Sequence, residues 1–433
     1  MKRKFLDELL NWKSSNILTP LMVVGARQIG KTYIIDKFCR DNFDDYIYLN
    51  LVDNKDVCNI FSKDINTEEK IINLELYLNK KITENTIIFF DEIQESEELI
   101  TSLKYFCESS FPYKIICAGS LLGVKLKRFN SSFPVGKVNI KYMYPMDFEE
   151  FLVAVESDKL IPLIKECFDN NKKMDNVLHE KLLKLYRLYL YVGGMPGAIN
   201  NLILNNLDGL LYNNNIVSSI IDAYIADMKK YTLNYFESLK IEKVYKNIPS
   251  QLARENKKFM YSKIEKNARK RDFESPIDWL ISSNLIFQCY QVNRFETPLK
   301  GFCVEDNFKL YLSDVGILSI LVEIQRNKLL LNEDFMYKGA ITENYVANQL
   351  ISNGYSLYYW SKNQVAEIDF LLDTKEGVIP IEVKSNDNIT SKSLNYYIEK
   401  NNPKYSIRIS SKNFGLENNI KSVPLYAVFC IKE

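Results

Sequence analysis

Twelve residues constrain this chain more than any others: Leu21 to Thr32 reads LMVVGARQIGKT. A short apolar run ends in Gly25, and the following residues complete G-x-x-x-x-G-K-T, the phosphate-loop pattern. Glycines at these positions let the backbone double back so that successive N–H groups converge on phosphate oxygens, at the start of a helix whose dipole favours an anion. Lys31 is placed to reach the β- and γ-phosphates, and Thr32 offers a hydroxyl to magnesium. The flanks agree, because Leu21 to Val24 reads as a buried strand and Tyr33 to Arg40 spaces its apolar residues as a helix does. Gly25, Ala26, Arg27, Gln28, Ile29, Gly30, Lys31, Thr32 and Tyr33 are therefore the expected ATP contacts. The sequence then has to supply a metal-holding acid and a base. Thr86 to Glu92, TIIFFDE, does so: four apolar residues run into Asp91, for the magnesium shell, and Glu92, to polarise the attacking water. Carboxylates at the C-terminal end of a buried parallel strand lie where doubly wound sheets bind ligands.

Tyr46 to Leu51 and Tyr113 to Ala118 read as two further strands. The latter ends at Gly119-Ser120, where Ser120 either touches the γ-phosphate or closes a simple turn. Arg128 and Lys137, in RFNSSFPVGKV, are cations within range of a neighbouring subunit's phosphate if the chain oligomerises.

Composition narrows what else the chain can do. Its 433 residues suffice for several domains, and a formal net charge of +1 leaves no global field to attract nucleic acid, so any basic surface has to be local. His179 is the single histidine, and the eight cysteines contain no C-x-x-C pair. Zinc sites and Ser–His–Asp hydrolases need more imidazole or clustered thiol than this, so metal chemistry here falls to carboxylates, which suit magnesium or manganese. The N-terminus carries Asp7 and Glu8 before any long apolar run, and no stretch approaches a membrane span, so a cytoplasmic protein with no membrane partner is expected.

From Phe148 to about Lys230 the pattern is helical, interrupted at Gly193-Gly194 and Pro196 in YLYVGGMPGAI, which predicts a break between two helices. Val244 to Ala253, Lys263 to Lys270 and Ile277 to Ser283 read as helices, followed by strands at Leu285 to Gln291 and Phe308 to Leu312. Helices and then a hairpin suggest a winged helix, with a local positive surface that suits DNA or a protein partner. Near the C-terminus, Ala340 to Leu350 reads as an amphipathic helix bearing Glu343. Ala366 to Leu372 (AEIDFLL) carries Asp369, and Val378 to Ser385 (VIPIEVKS) carries Glu382 and Lys384. Strand alternation sends Glu382 and Lys384 to one face. Asp369, Glu382 and Glu343 are candidate magnesium ligands, and Lys384 is placed to steady a nucleophilic water.

Taken together, GARQIGKT, FFDEIQ, AGSLLG, SFPVGKV with MYPMDFEEFL, YVGGMPGAI, FKLYLSDVGIL, TENYVANQL, AEIDFLL and PIEVKS resemble bacterial and archaeal ATPases of the AAA/STAND-like group fused to a C-terminal domain with a PD-(D/E)xK nuclease-like core. The resemblance implies an α/β multidomain chain: a P-loop NTPase core with an AAA-like parallel sheet over 1–147, a helical lid over 148–232, a winged helix over 233–330 and a restriction-endonuclease-like domain over 331–433. It adds Gly194 and Pro196, in the glycine–proline lid motif, as nucleotide contacts. It implies ATP hydrolysis with Glu92 and Lys31 in catalytic roles, and a nucleic-acid or protein partner whose identity is open. In the nuclease-like segment Glu367-Ile368 replaces the usual proline before the first acid, leaving Asp369 in place.

Overall fold

The structure is a computed structural model that describes residues 1–432 apart from 16–18, 64, 128–133, 135, 233, 363–365 and 386–391. Arg128 lies outside the described residues. The chain divides into two compact units, one of Lys2–Tyr144 with Ser282–Asn284, the other of Met1, Pro145–Ile281 and Leu285–Glu433.

The first unit is built on a five-stranded, all-parallel sheet of β1 (Leu21–Val24), β2 (Asp45–Asn50), β3 (Thr86–Asp91), β4 (Lys114–Gly119) and β5 (Asn139–Tyr142), in the order β2-β3-β4-β1-β5. β1 and β3 are buried along their whole length, as strands covered on both faces by helices must be, and their side chains enter a core with Ile47, Leu49, Leu74 and Leu103. β5 went unread in the sequence: NIKY is four residues long, half-exposed and at the sheet edge, so it carries no apolar run. Because β4 lies between β1 and β3, the phosphate loop after β1 and the acids after β3 flank the end of β4, where Ser120 sits buried.

In the second unit, helices Phe148–Ala154, Ile161–Asn170, Asn176–Val192, Pro196–Leu204, Asn215–Lys230 and Tyr235–Leu252 precede an eight-stranded mixed sheet. Its strands are β6 (Ile286–Val292), β7 (Cys303–Leu312), β8 (Tyr358–Lys362), β9 (Ala366–Thr374), β10 (Gly377–Val383), β11 (Ser406–Ser410), β12 (Gly415–Glu417) and β13 (Ile420–Pro424), ordered β12-β13-β11-β10-β9-β8-β6-β7. β8, β9 and β10 form an antiparallel meander, and β11 joins β10 in parallel after the helix Lys392–Asn401.

Two expectations change here. The expected wing, β6 and β7, belongs to the large sheet, because β6 pairs in parallel with β8 through Tyr290–Tyr358 and Gln291–Tyr359. The boundary expected at 330 is thus crossed by one continuous sheet. The lysine-rich Lys263–Lys270 segment is mostly turn, with a single 3₁₀ turn at Tyr261–Lys263 before the helix Lys270–Ser282.

The helix Lys338–Ser352 is not amphipathic in use: every residue from Ala340 to Leu350 is buried. Several of its polar side chains bond nearby backbone groups, although Gln349 Nε2 is buried without a partner. Asn344 accepts from the Leu312 N–H at 2.8 Å and donates to the Leu312 carbonyl at 2.9 Å, Asn348 donates to the same carbonyl at 2.8 Å, and Gln349 accepts from the Phe148 N–H at 3.0 Å. Asn344 thereby continues the hydrogen bonding of β7 where no strand follows.

The glycine–proline break falls as read. The helix Asn176–Val192 ends before Gly193, and Pro196 opens the next helix at its first position, where a missing N–H costs nothing. Gly194 is held on both sides: its N–H donates to Asp314 at 2.6 Å and its carbonyl accepts from the Met146 N–H at 2.7 Å. A Cβ at Gly194 would stand 2.1 Å from the Met146 carbonyl oxygen, whereas one at Gly197 would meet nothing nearer than 3.8 Å. Gly194→Ala is expected to destabilise the chain by about 2–4 kcal/mol in urea unfolding, and Gly197→Ala to change it by less than about 1 kcal/mol. Equal effects would mean that the close approach at Gly194 is not what holds this junction.

Candidate functional site

The phosphate loop takes its shape from two left-handed residues, Gln28 at φ 65° and Gly30 at φ 90°, the second leading into the helix Lys31–Asn42. Buried Arg3, which sequence reasoning passed over, ties this loop down by donating to the Ile29 carbonyl at 2.6 Å and the Tyr144 carbonyl at 2.7 Å. Only its position far upstream in sequence hid it. Lys31 folds back on the loop, its ammonium donating to the carbonyls of Gly25 at 2.9 Å and Ala26 at 2.8 Å. Burial lowers its pKa to about 8, against the raising pull of Glu92 and Asp91. Arg27, Gln28 and Tyr33 lie on the exposed side of the loop, while Gly25, Ala26 and Ile29 are buried.

Asp91 meets the end of the loop. Thr32 Oγ1 donates to Asp91 Oδ2 at 2.8 Å, and the Tyr48 hydroxyl donates to the same oxygen at 3.2 Å. Burial raises the Asp91 pKa, an unfavourable state for a carboxylate that a divalent cation would relieve. Glu92 adopts a left-handed conformation at φ 54°, and its N–H donates to Asp91 Oδ1 at 3.0 Å, so the two neighbouring acids diverge. Gln94 then positions the Glu92 carboxylate, donating to Oε2 at 2.5 Å, while its own Oε1 is buried without a partner. Gln94 was missed although it stands two residues past the acid in FFDEIQ. Its side chain packs over Gly119, where a Cβ would lie 2.3 Å from Gln94 Oε1. Lys137 pairs with Glu108 at 3.1 Å, and so has an intramolecular partner.

The second constellation assembles on β9, β10 and the buried helix. The β9–β10 register pairs Phe370 with Ile381, which places Asp369 across from Glu382. Asp369 Oδ2 accepts from the Val383 N–H at 2.8 Å, and Lys384 bridges Glu382 Oε1 at 2.8 Å. Glu382 Oε2 is buried without a hydrogen-bond partner. Glu343 is differently placed. Lys257 grips its Oε2, while its Oε1 receives Lys309 at 3.1 Å and the Tyr311 hydroxyl at 2.5 Å. Burial would raise the Glu343 pKa, but these two ammonium groups and the hydrogen bonds outweigh it and hold it near 2. Burial and the Glu343 charge push Asp369 the other way, to about 7. Lys309 also reaches Glu367 at 2.5 Å.

Among the described residues no group of three or more acids, histidines or cysteines converges as a metal cage. Asp369 lies 3.9 Å from Lys257 and Glu382 pairs with Lys384, while Glu343, expected as a third magnesium ligand, is committed to two lysines and a tyrosine. Gly194 likewise has its N–H and carbonyl committed within its own unit, so neither is free for a nucleotide.

Residues 19–152 match the AAA domain family. This segment is a P-loop domain of AAA type. Two further segments match families of unknown function, 183–328 (DUF8612) and 338–428 (DUF4143). No curated protein matches the chain. Solved structures similar to it include a Walker-type ATPase of Pyrococcus abyssi, at 14% identity over 74% of this chain and 95% of that one with a TM-score of 0.44. The ORC2 protein of Aeropyrum pernix with ADPNP and ADP is similar at 12% identity over 76% of this chain and 91% of that one, with a TM-score of 0.38. Among the described residues no helix is long and apolar enough to cross a membrane.

Two outcomes follow from the charges. If Lys31 binds phosphate as the ammonium, its protonation sets the affinity, and burial lowers its pKa in the folded chain to about 8 from 10.5. The dissociation constant for ADP is therefore expected to rise as pH passes 8, with a slope approaching one decade per pH unit, and Lys31→Arg is expected to flatten that slope. A flat wild-type profile from pH 7 to 9.5 would contradict the assignment. Lys309→Ala leaves Glu343 and Glu367 short of a buried counter-charge, so a loss of about 3–5 kcal/mol is expected in urea unfolding, and adding Glu343→Gln is expected to recover part of it. Strict additivity would show that the pair is not coupled.

Proposed function

We propose that the chain binds and hydrolyses ATP at Gly25–Thr32 and that its nucleotide state regulates a nuclease-like C-terminal domain acting on nucleic acid. The observation that carries the ATP half is the Thr32–Asp91 contact beside a Glu92 carboxylate held apart by Gln94. Lys31 would leave the Gly25 and Ala26 carbonyls for the phosphate oxygens, and Glu92 would accept the proton of the attacking water. Magnesium, when bound, would neutralise charge on the β- and γ-phosphates, with Thr32 and Asp91 as the residues to hold it. Ser120, buried at the end of β4, would contact the γ-phosphate in this reading.

For the C-terminal half, the helix–strand–strand–strand–helix–strand order from Lys338 to Ser410 supports a restriction-endonuclease-like reading, with Asp369 opposite Glu382 and Lys384 on the Glu382 face. The unpartnered Glu382 Oε2 fits a cation there. A second reading, in which this domain binds nucleic acid or a partner protein without cutting, is favoured by the occupation of Glu343 by Lys257 and Lys309.

Glu92→Gln is expected to keep ATP affinity within about threefold while lowering turnover by about 10²–10⁴-fold. Turnover at the wild-type rate would assign the base elsewhere. Cleavage of labelled single- and double-stranded DNA and RNA, with magnesium or manganese and with or without ATP, separates the two readings of the C-terminal domain. Cleavage that is changed by ATP and lost in Asp369→Ala supports the nuclease. Intact substrate in every condition, with ATPase activity present, selects binding without cutting.

A further inference from the structure

The second unit holds a cavity of about 210 Å³ between the helices Asn176–Val192 and Lys338–Ser352, and neither reading above uses it. Arg187, Lys338 and Lys412 bring three cations to its wall. Lys338 has an exposed partner, Asp334, at 3.2 Å. Arg187 has none: among the described residues no carboxylate comes within ion-pair distance, and its Nε is buried without a hydrogen-bond partner. Guanidinium groups removed from water are normally matched by an acid or by convergent acceptors. Burial accordingly pulls the Arg187 pKa down, with Glu180 and Tyr186 only partly restoring it. Tyr186, itself 4% exposed, turns a hydroxyl into the same region beside Thr342 without making a hydrogen bond of normal geometry. Among the described residues the one carboxylate on the wall is Glu180, which is solvent-exposed and therefore screened. The remaining wall is mixed, with Leu183, Leu329 and Phe335 beside the polar Asn332, Thr342, Ser385 and Ser411.

We propose that this cavity is a binding site for a small phosphate monoester, whose dianion is held by Arg187, Lys338 and Lys412 and whose organic part packs on Phe335 and the leucines. Three cations and the Tyr186 hydroxyl donate from several directions, which suits a tetrahedral dianion better than a planar carboxylate. The volume lies below the range of drug-sized pockets, so the ligand is a compact one rather than a polynucleotide. The site goes beyond the ATPase and nuclease-like readings and depends on neither, since its lining includes neither Asp369 nor Glu382 and no residue of the phosphate loop.

The test is isothermal titration of the full chain carrying Lys31→Ala, so that the phosphate loop does not contribute, with phenyl phosphate as the probe. Saturable binding is expected, about tenfold tighter than inorganic phosphate because the ring buries apolar surface, and tighter than benzoate. Arg187→Gln is expected to weaken it at least tenfold. Lys412→Ala, at an exposed position that leaves the core untouched, is expected to weaken it about threefold and serves if the Arg187 variant does not fold. Absence of saturable binding, benzoate binding as tightly as phenyl phosphate, or affinity unchanged by either substitution would each overturn the proposal.

Discussion

Charge taken out of water has to be matched where it lies, and this requirement organises both halves of the chain. Asp91 is buried at the end of a strand with no apolar alternative, so Thr32 and Tyr48 gather on it and bring the phosphate loop and the strand-end acids into register. In the second unit Glu343 is 2% exposed, and Lys257, Lys309 and Tyr311 converge on it from two other elements. The first arrangement gathers a hydroxyl and a carboxylate beside the phosphate loop. The second closes on itself as a charge network that holds a fold.

The ATP side was legible because each of its signals is local. A glycine pair fixes a turn, an apolar run fixes a buried strand, and the acids follow within the same segment. What escaped was non-local or weak. Arg3 anchors the loop from far upstream, Gln94 acts through its contact with Glu92, and β5 is too short and polar to announce itself. The C-terminal acids were also legible as a spacing, and the β9–β10 register pairs their neighbours Phe370 and Ile381. The cations that occupy Glu343 were not, since no periodicity shows that Lys309, in the alternating FKLYL, points into the protein. The winged-helix expectation is not confirmed, for a similar reason. A hairpin after helices reads the same whether its edge is free or paired, and only the contact of β6 with β8 decides it.

That pairing also changes how the second unit should be divided. The matched segments 183–328 and 338–428 meet on one sheet, β6 and β7 from the first and β8 to β13 from the second. The buried helix Lys338–Ser352 ties them again, through Asn344 and Asn348 on Leu312. Separating the segments would expose the β8 edge and strip Glu343 of Lys257 and Lys309, so the two families of unknown function act here as one structural body. The acid–lysine cluster is a product of that union, which explains why the C-terminal segment alone misstates its charge.

The most direct measurement is calorimetric titration of the full chain with a slowly hydrolysed ATP analogue in magnesium, beside Lys31→Ala. The account predicts one site per chain, lost on removal of the Lys31 ammonium and weakened when magnesium is chelated. Binding that survives in Lys31→Ala, or no binding by the wild type, would contradict it.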